Sequence, residues 1–120
     1  MIKKAETNDL EILAKLAVML WQNLSVSELI NEFSEIMANG KSQFFLKYEN
    51  DIPIGFAQCQ LRYDYVEGTS ASPVGYLEGI FVQEGYRNKG YAKELLAKCE
   101  AWAKENGCHE FASDCDIDNM

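Results

Sequence analysis

Apolar residues recur along this chain with two different periods, and the changes of period mark out its elements. Leu10, Leu13, Ala14, Ala17, Leu20 and Trp21 are spaced for one face of a helix. Asn8 with Glu11 reads as a capping box ahead of them, so a helix is expected from Asp9 to Asn23. A second stripe, Leu29, Ile30, Phe33, Ile36 and Met37, lies between a Ser25–Glu28 cap and a Gly40 stop. It predicts a helix from Val26 to Asn39. Phe44 to Tyr48 and Ile54 to Tyr65 then read as two strands of a hairpin, turned by Glu49-Asn50-Asp51. After a polar loop from Glu67 to Ser72, Tyr76 to Val82 is apolar enough for a central strand. The third helical stripe is Ala92, Leu95, Leu96, Cys99, Trp102 and Ala103, on a helix reaching Asn106 and closed by Gly107. Glu94–Lys98 and Glu100–Lys104 support its outer face. Ile2 to Ala5 and Glu110 to Ser113 are short strands at either end. The order β, α, α, β, β, β, α, β is that of a mixed α/β layer fold, with a central sheet flanked by helices.

The 120 residues are expected to form one domain spanning 1–120, and 48% hydrophobic residues are enough for a core. There is no apolar run of the roughly 20 residues that crosses a membrane, and no signal peptide after Met1-Ile2-Lys3-Lys4, so the expected location is cytoplasmic. A net charge of −8 argues against nucleic acid as a partner. It suits a polycationic ligand, although such a charge serves solubility first. Cys59, Cys99, Cys108 and Cys115 form no Cys-x-x-Cys pair, and His109 is the one histidine, so no metal site is expected. Buried reduced thiols are the expected state. Cys108 and His109, read as neighbours in a strand, point to opposite faces and cannot act as a catalytic pair.

The chemistry gathers at Tyr86-Arg87-Asn88-Lys89-Gly90-Tyr91-Ala92, a basic turn between the central strand and the third helix. Unpaired N–H groups of a first helical turn, the helix dipole and two cationic side chains make an anion site. Gly90 lets the backbone approach a phosphate. A solvated turn is the plain alternative. A second feature is Glu78, a carboxylate among Leu77, Ile80, Phe81 and Val82. Such a charge needs a partner, either a substrate ammonium or a structural cation such as Arg62. Gly79 beside it permits a bulge.

Arg87-x-x-Gly90-x-Ala92 resembles the acetyl-CoA signature of the GCN5-related N-acetyltransferases (GNAT). Trp21, the segment Arg62 to Thr69, the run Ser72 to Ile80 and the stretch Glu110 to Asp114 are similar to the aminoglycoside 6'-N-acetyltransferases of that superfamily, in order and over the whole chain. The resemblance implies the GNAT acyl-CoA N-acyltransferase fold and transfer of acetyl from acetyl-CoA to the 6'-amine of an aminoglycoside. It implies a loop and strand edge that hold the coenzyme, here Ile80, Phe81, Val82, Arg87, Asn88, Lys89, Gly90, Tyr91 and Ala92, with Asn119 as a further contact. An amide within Ile80 to Val82 would serve as oxyanion donor. Glu78 is the first choice of base and Asp114 the second, both also meeting the substrate. Trp21 and Tyr65 match positions lining the aminoglycoside, where an aromatic face takes a sugar or a cation. Core packing is the alternative for Trp21, and a turn or cap for Asp114.

With no nucleophilic cysteine, direct attack by the amine in a ternary complex is expected, and no general acid for the thiolate is evident. The family commonly dimerises, so a homodimer is expected. Its fold continues with a helix and two strands, and these C-terminal elements are expected to be missing. Two other readings stand beside this one: acetylation of another small polyamine or a protein amine, and a non-catalytic acetyl-CoA-binding fragment.

Overall fold

A computed structural model of the protein describes residues 1–63 and 73–113. The chain runs β1 (Ile2–Lys4), α1 (Leu10–Leu20), α2 (Val26–Asn39), β2 (Ser42–Glu49), β3 (Ile52–Arg62), β4 (Val74–Val82), α3 (Tyr91–Glu105) and β5 (Phe111–Ser113). The strands form a five-stranded sheet in the order β1-β2-β3-β4-β5. Each pairing is antiparallel except β4 with β5, which α3 makes parallel as the crossover between them.

α1 and α2 cover one face of the sheet, where Leu13, Leu29, Phe33, Phe44, Phe56 and Phe81 make the core. α3 covers the other, burying Leu95, Cys99 and Trp102 against Leu77, Ile80 and Val82. The predicted stripes are thus the buried faces. α2 starts and stops where its punctuation says. The Ser25 hydroxyl accepts from the Glu28 amide, the Glu28 carboxylate accepts from the Ser25 amide, and Gly40 turns left-handed at φ 79°. The β2–β3 turn holds Asn50 and Asp51 at φ 51° and 64°, the left-handed pair of a two-residue hairpin loop.

The first helix begins differently. The box lies at Glu6 and Asp9 rather than Asn8 and Glu11, a 3-10 turn occupies Thr7–Asp9, and the α-helix ends at Leu20 rather than Asn23. The cause is Asp9, a buried carboxylate that accepts the Glu6 amide at 2.9 Å and pairs with Lys3 at 3.0 Å. Burial alone would push its pKa up, but the Glu6 amide and the Lys3 ammonium outweigh that and hold it below the usual aspartate range. β3 is described as far as Arg62, and Tyr65 lies outside the described residues. Cys108 and His109 precede β5 instead of sitting in it. They still face apart, Cys108 buried and His109 exposed. Cys59, Cys99 and Cys108 are free, buried thiols.

Candidate active site

β4 carries the irregularity on which the site is built. Gln58 pairs with Gly79 and Cys59 with Leu77, so Glu78 is an extra residue with nothing opposite it. The bulge leaves Glu78 and Gly79 both on the α1/α2 face. The Trp21 ring, just past the end of α1, sets its edge against Gly79, where a Cβ would stand 2.6 Å from Cζ2. Trp21 meets Phe56 and Phe33 edge-on, with centroids 5.9 and 6.4 Å apart. It is therefore a packing residue and a wall at once, because it also lines a cavity of about 330 Å³ together with Glu78, Gln58 and Glu32. Arg62 Nη2 donates to Glu78 Oε2 at 2.7 Å, and its guanidinium lies 3.6 Å over the Tyr76 ring. The structural cation considered for Glu78 is thus present. It takes one carboxylate oxygen, and Oε1 has no partner among the described residues.

The backbone beyond the bulge has a free edge. β5 pairs with β4 from Gly75 to Leu77, and the Gly75 amide donates to Glu110. At the other end the Gln83 amide donates to the Ile54 carbonyl on β3. Alternation then turns the Phe81 N–H and C=O toward β3, and those of Ile80 and Val82 toward the opposite edge. No described strand pairs with β4 there. The Ile80, Phe81 and Val82 side chains are all buried in the two cores, so packing and an available backbone coexist.

The loop after β4 differs in its details from the sequence expectation. Arg87 Nε donates to the Val82 carbonyl at 2.7 Å, so this guanidinium braces the loop against the strand end. Lys89 reaches over Tyr86 at 5.7 Å, and Asn88, Lys89 and Gly90 are exposed. Gly90 needs to be glycine for its φ of 83°; a Cβ there would meet nothing within 4 Å. Gly90 caps α3 without any side-chain acceptor, leaving the amides at the start of the helix open toward the loop. Ala92 is buried and Tyr91 turns away. The Tyr91 hydroxyl donates to Glu49 Oε1 at 3.0 Å, a bond that raises the phenol's pKa. Lys47 sits 4.4 Å over the Tyr91 ring and pairs with Glu94 at 3.1 Å. Tyr91 thus offers a ligand its backbone, while its side chain ties α3 to β2.

Asp114 and Asn119, like Tyr65, lie outside the described residues. Sequence reasoning missed Gln58 and Glu32. Gln58 had a signal: it shares the strand face of Ile54 and Phe56, so its parity places an amide in the core.

An unpaired strand edge running toward an uncapped helix N-terminus suits a ligand with an amide-bearing arm and a pyrophosphate, as in coenzyme A. That is the layout of an acyl-CoA-dependent transferase. Residues 10–120 match the model of the acetyltransferase (GNAT) family, and the chain belongs to that family of acetyl-CoA-dependent N-acetyltransferases. It is 39% identical to the aminoglycoside N(6')-acetyltransferase type 1 of Serratia marcescens, over all of this chain and 83% of that protein. It is 37% identical to the enzyme of that name from Acinetobacter haemolyticus, over 99% of this chain and 81% of that one. Among solved structures, aminoglycoside N-acetyltransferase AAC(6')-Iy in complex with CoA superposes with a TM-score of 0.92 at 34% identity, covering 97% of this chain and 76% of that one. The same enzyme bound to a bisubstrate analogue, CoA-S-monomethyl-acetylneamine, gives 0.91 at 34%, covering 99% of this chain and 81% of that one.

Proposed function

We propose that this protein is an aminoglycoside 6'-N-acetyltransferase that moves acetyl from acetyl-CoA to the 6'-amine of the antibiotic by direct attack. The observation that carries this reading is the β4 bulge. It sets the Glu78 carboxylate beside Trp21 in a cavity, at the point where the free edge of the strand begins. The relatives named for this activity support it.

When bound, acetyl-CoA supplies the activated acyl group. Its anchor would be the open amides at the start of α3 with the loop Arg87, Asn88, Lys89, Gly90, Tyr91 and Ala92. The Ile80 N–H and C=O and the Val82 N–H would pair with the arm, the Val82 carbonyl being held by Arg87, and one of those N–H groups would donate to the thioester carbonyl oxygen as its charge grows. Phe81 contributes packing. On the acceptor side Trp21 presents an aromatic wall to a sugar ring, and Glu78 Oε1 receives the ammonium and takes its proton, directly or through one water. The freed amine would attack the carbonyl carbon, the C–N bond forming as the C–S bond breaks, and the proton shed by the new amide nitrogen would go to the departing thiolate, giving the acetamide and the coenzyme A thiol. By the resemblance, Asp114 would be a second carboxylate, Tyr65 a second aromatic and Asn119 a coenzyme contact, all three outside the described residues.

The protein would act in the cytoplasm as a homodimer, without nucleic acid or membrane partners. Its net charge of −8 fits a cationic substrate. The test is mass spectrometry of kanamycin incubated with acetyl-CoA and the protein, with fragmentation to locate the acetyl group. One acetyl on the 6'-amine is expected. No acetylated product, or acetyl at another amine, would overturn the reading.

A further inference from the structure

The cavity beside Glu78 has two polar side chains that acetyl transfer leaves without a task. Gln58 is only 7% exposed, lies opposite Gly79 and lines the cavity. Its amide makes no hydrogen bond among the described residues. Glu32 projects from α2 into the same cavity, between the turns that bury Leu29 and Phe33. It has no ion-pair partner among the described residues, and the Arg62 guanidinium is already committed to Glu78 and Tyr76. The one enclosed side-chain polar atom without a partner among the described residues is Glu49 Oε2, so the Gln58 amide, on a residue otherwise buried, opens onto the cavity it lines. An amide that opens only there is placed to meet what enters the cavity.

We propose that Gln58 and Glu32 form an acceptor subsite next to Glu78. Gln58 hydrogen-bonds a hydroxyl or amine on the ring that bears the reacting nitrogen. Glu32 pairs with a second ammonium of the same polycation. The inference rests on the acceptor being an aminoglycoside. It adds that selectivity over simpler amines comes from this wall of the cavity, because a site built to hydrogen-bond a substrate group discriminates strongly against molecules lacking it.

The experiment compares wild type, Gln58→Leu and Glu32→Gln. It measures KM for kanamycin and for acetyl-CoA, the calorimetric Kd for kanamycin, and Tm. Gln58→Leu is expected to raise the kanamycin KM and Kd about tenfold, the loss of one buried hydrogen bond. It should leave the acetyl-CoA KM unchanged and Tm no lower than that of wild type. Glu32→Gln is expected to raise the kanamycin KM about threefold at low salt, with the difference fading as salt screens an exposed pair. A Gln58→Leu protein with unchanged kanamycin affinity, or with both KM values raised and Tm lowered, would overturn the subsite, since the amide would then serve the fold. A Glu32→Gln protein equal to wild type at low salt would remove Glu32 from it. Wild type that neither binds nor acetylates kanamycin would overturn the aminoglycoside reading itself, a result separable from a variant that matches an active wild type.

Discussion

Gly79→Ala tests the seat of Trp21. The added Cβ would stand 2.6 Å from Cζ2 and 2.7 Å from Cη2 of the indole, and 3.6 Å from Leu20 Cδ2. Carbon atoms rest at about 3.5–4.0 Å, so the ring edge must retreat by roughly 1 Å. An indole is rigid and cannot bend away as a lysine tip would. This one is held by Phe33 and Phe56, with the fully buried Phe33 leaning on Phe44 at 4.7 Å. Overpacking of this kind costs about 1–3 kcal/mol. For a domain of this size each kcal/mol lowers Tm by roughly 4 °C. Because the same ring walls the Glu78 cavity, the KM for an aminoglycoside should rise several-fold while the KM for acetyl-CoA stays put. The assay pairs thermal denaturation with steady-state kinetics. Trp21 emission is read in a Trp102→Phe background, since Trp102 packs on the other face of the sheet. Unchanged Tm, emission and acceptor KM together would refute the argument that Trp21 rests on Gly79.

Glu78→Gln removes the proton acceptor and keeps the shape, so kcat should fall by about 100-fold or more while coenzyme A binds as before; a loss under threefold would leave Glu78 only a partner for Arg62. Arg87→Lys keeps the charge but loses the planar donor to the Val82 carbonyl, so calorimetry should show acetyl-CoA binding weaker by about tenfold. Equal binding would mean that the charge alone matters. Asp9 has its folded pKa below the ordinary 3.8, so its contribution to stability is complete above that value and is lost as pH falls through the folded pKa. Tm of Asp9→Asn measured against pH should therefore fall less steeply than wild type on the acid side. The Cys59 thiol is held well above the usual cysteine range by the neighbouring Cys99 thiol and by burial, so peptide mapping after iodoacetamide treatment of the native protein should find Cys59 unmodified.

What could be read from the sequence was what local chemistry dictates. α2 lies where Ser25, Glu28 and Gly40 put it, because caps and stops act within one turn. α1 did not start at its expected cap, because Asp9 answers to Lys3, a residue on another element, and to burial. Gly79 hinted at a bulge, but the identity of the extra residue depends on register against Gln58 and Cys59, about 20 positions away in the chain. Arg87 looked like a phosphate ligand because charge is visible in a sequence. The Val82 carbonyl that takes its Nε is a backbone group, and no side-chain pattern advertises it.

The bulge explains why the cofactor edge and the acceptor cavity occur together. Before it, the Gly75 amide faces β5. After it, the Gln83 amide faces β3, and even-numbered residues face the edge that β5 has left. One inserted residue therefore reverses which backbone groups are free at the point where pairing with β5 ends. The same insertion puts two consecutive side chains on one face. The first is a carboxylate directed into the cavity, and the second must be glycine because an indole occupies its Cβ position. A regular strand could supply a free edge or an inward carboxylate, but with strict alternation Glu78 and the seat of Trp21 would fall on opposite faces. The register shift between Gln58 and Cys59 is thus the feature that brings coenzyme edge, base and aromatic wall to one place, and it depends on the pairing of β3 with β4.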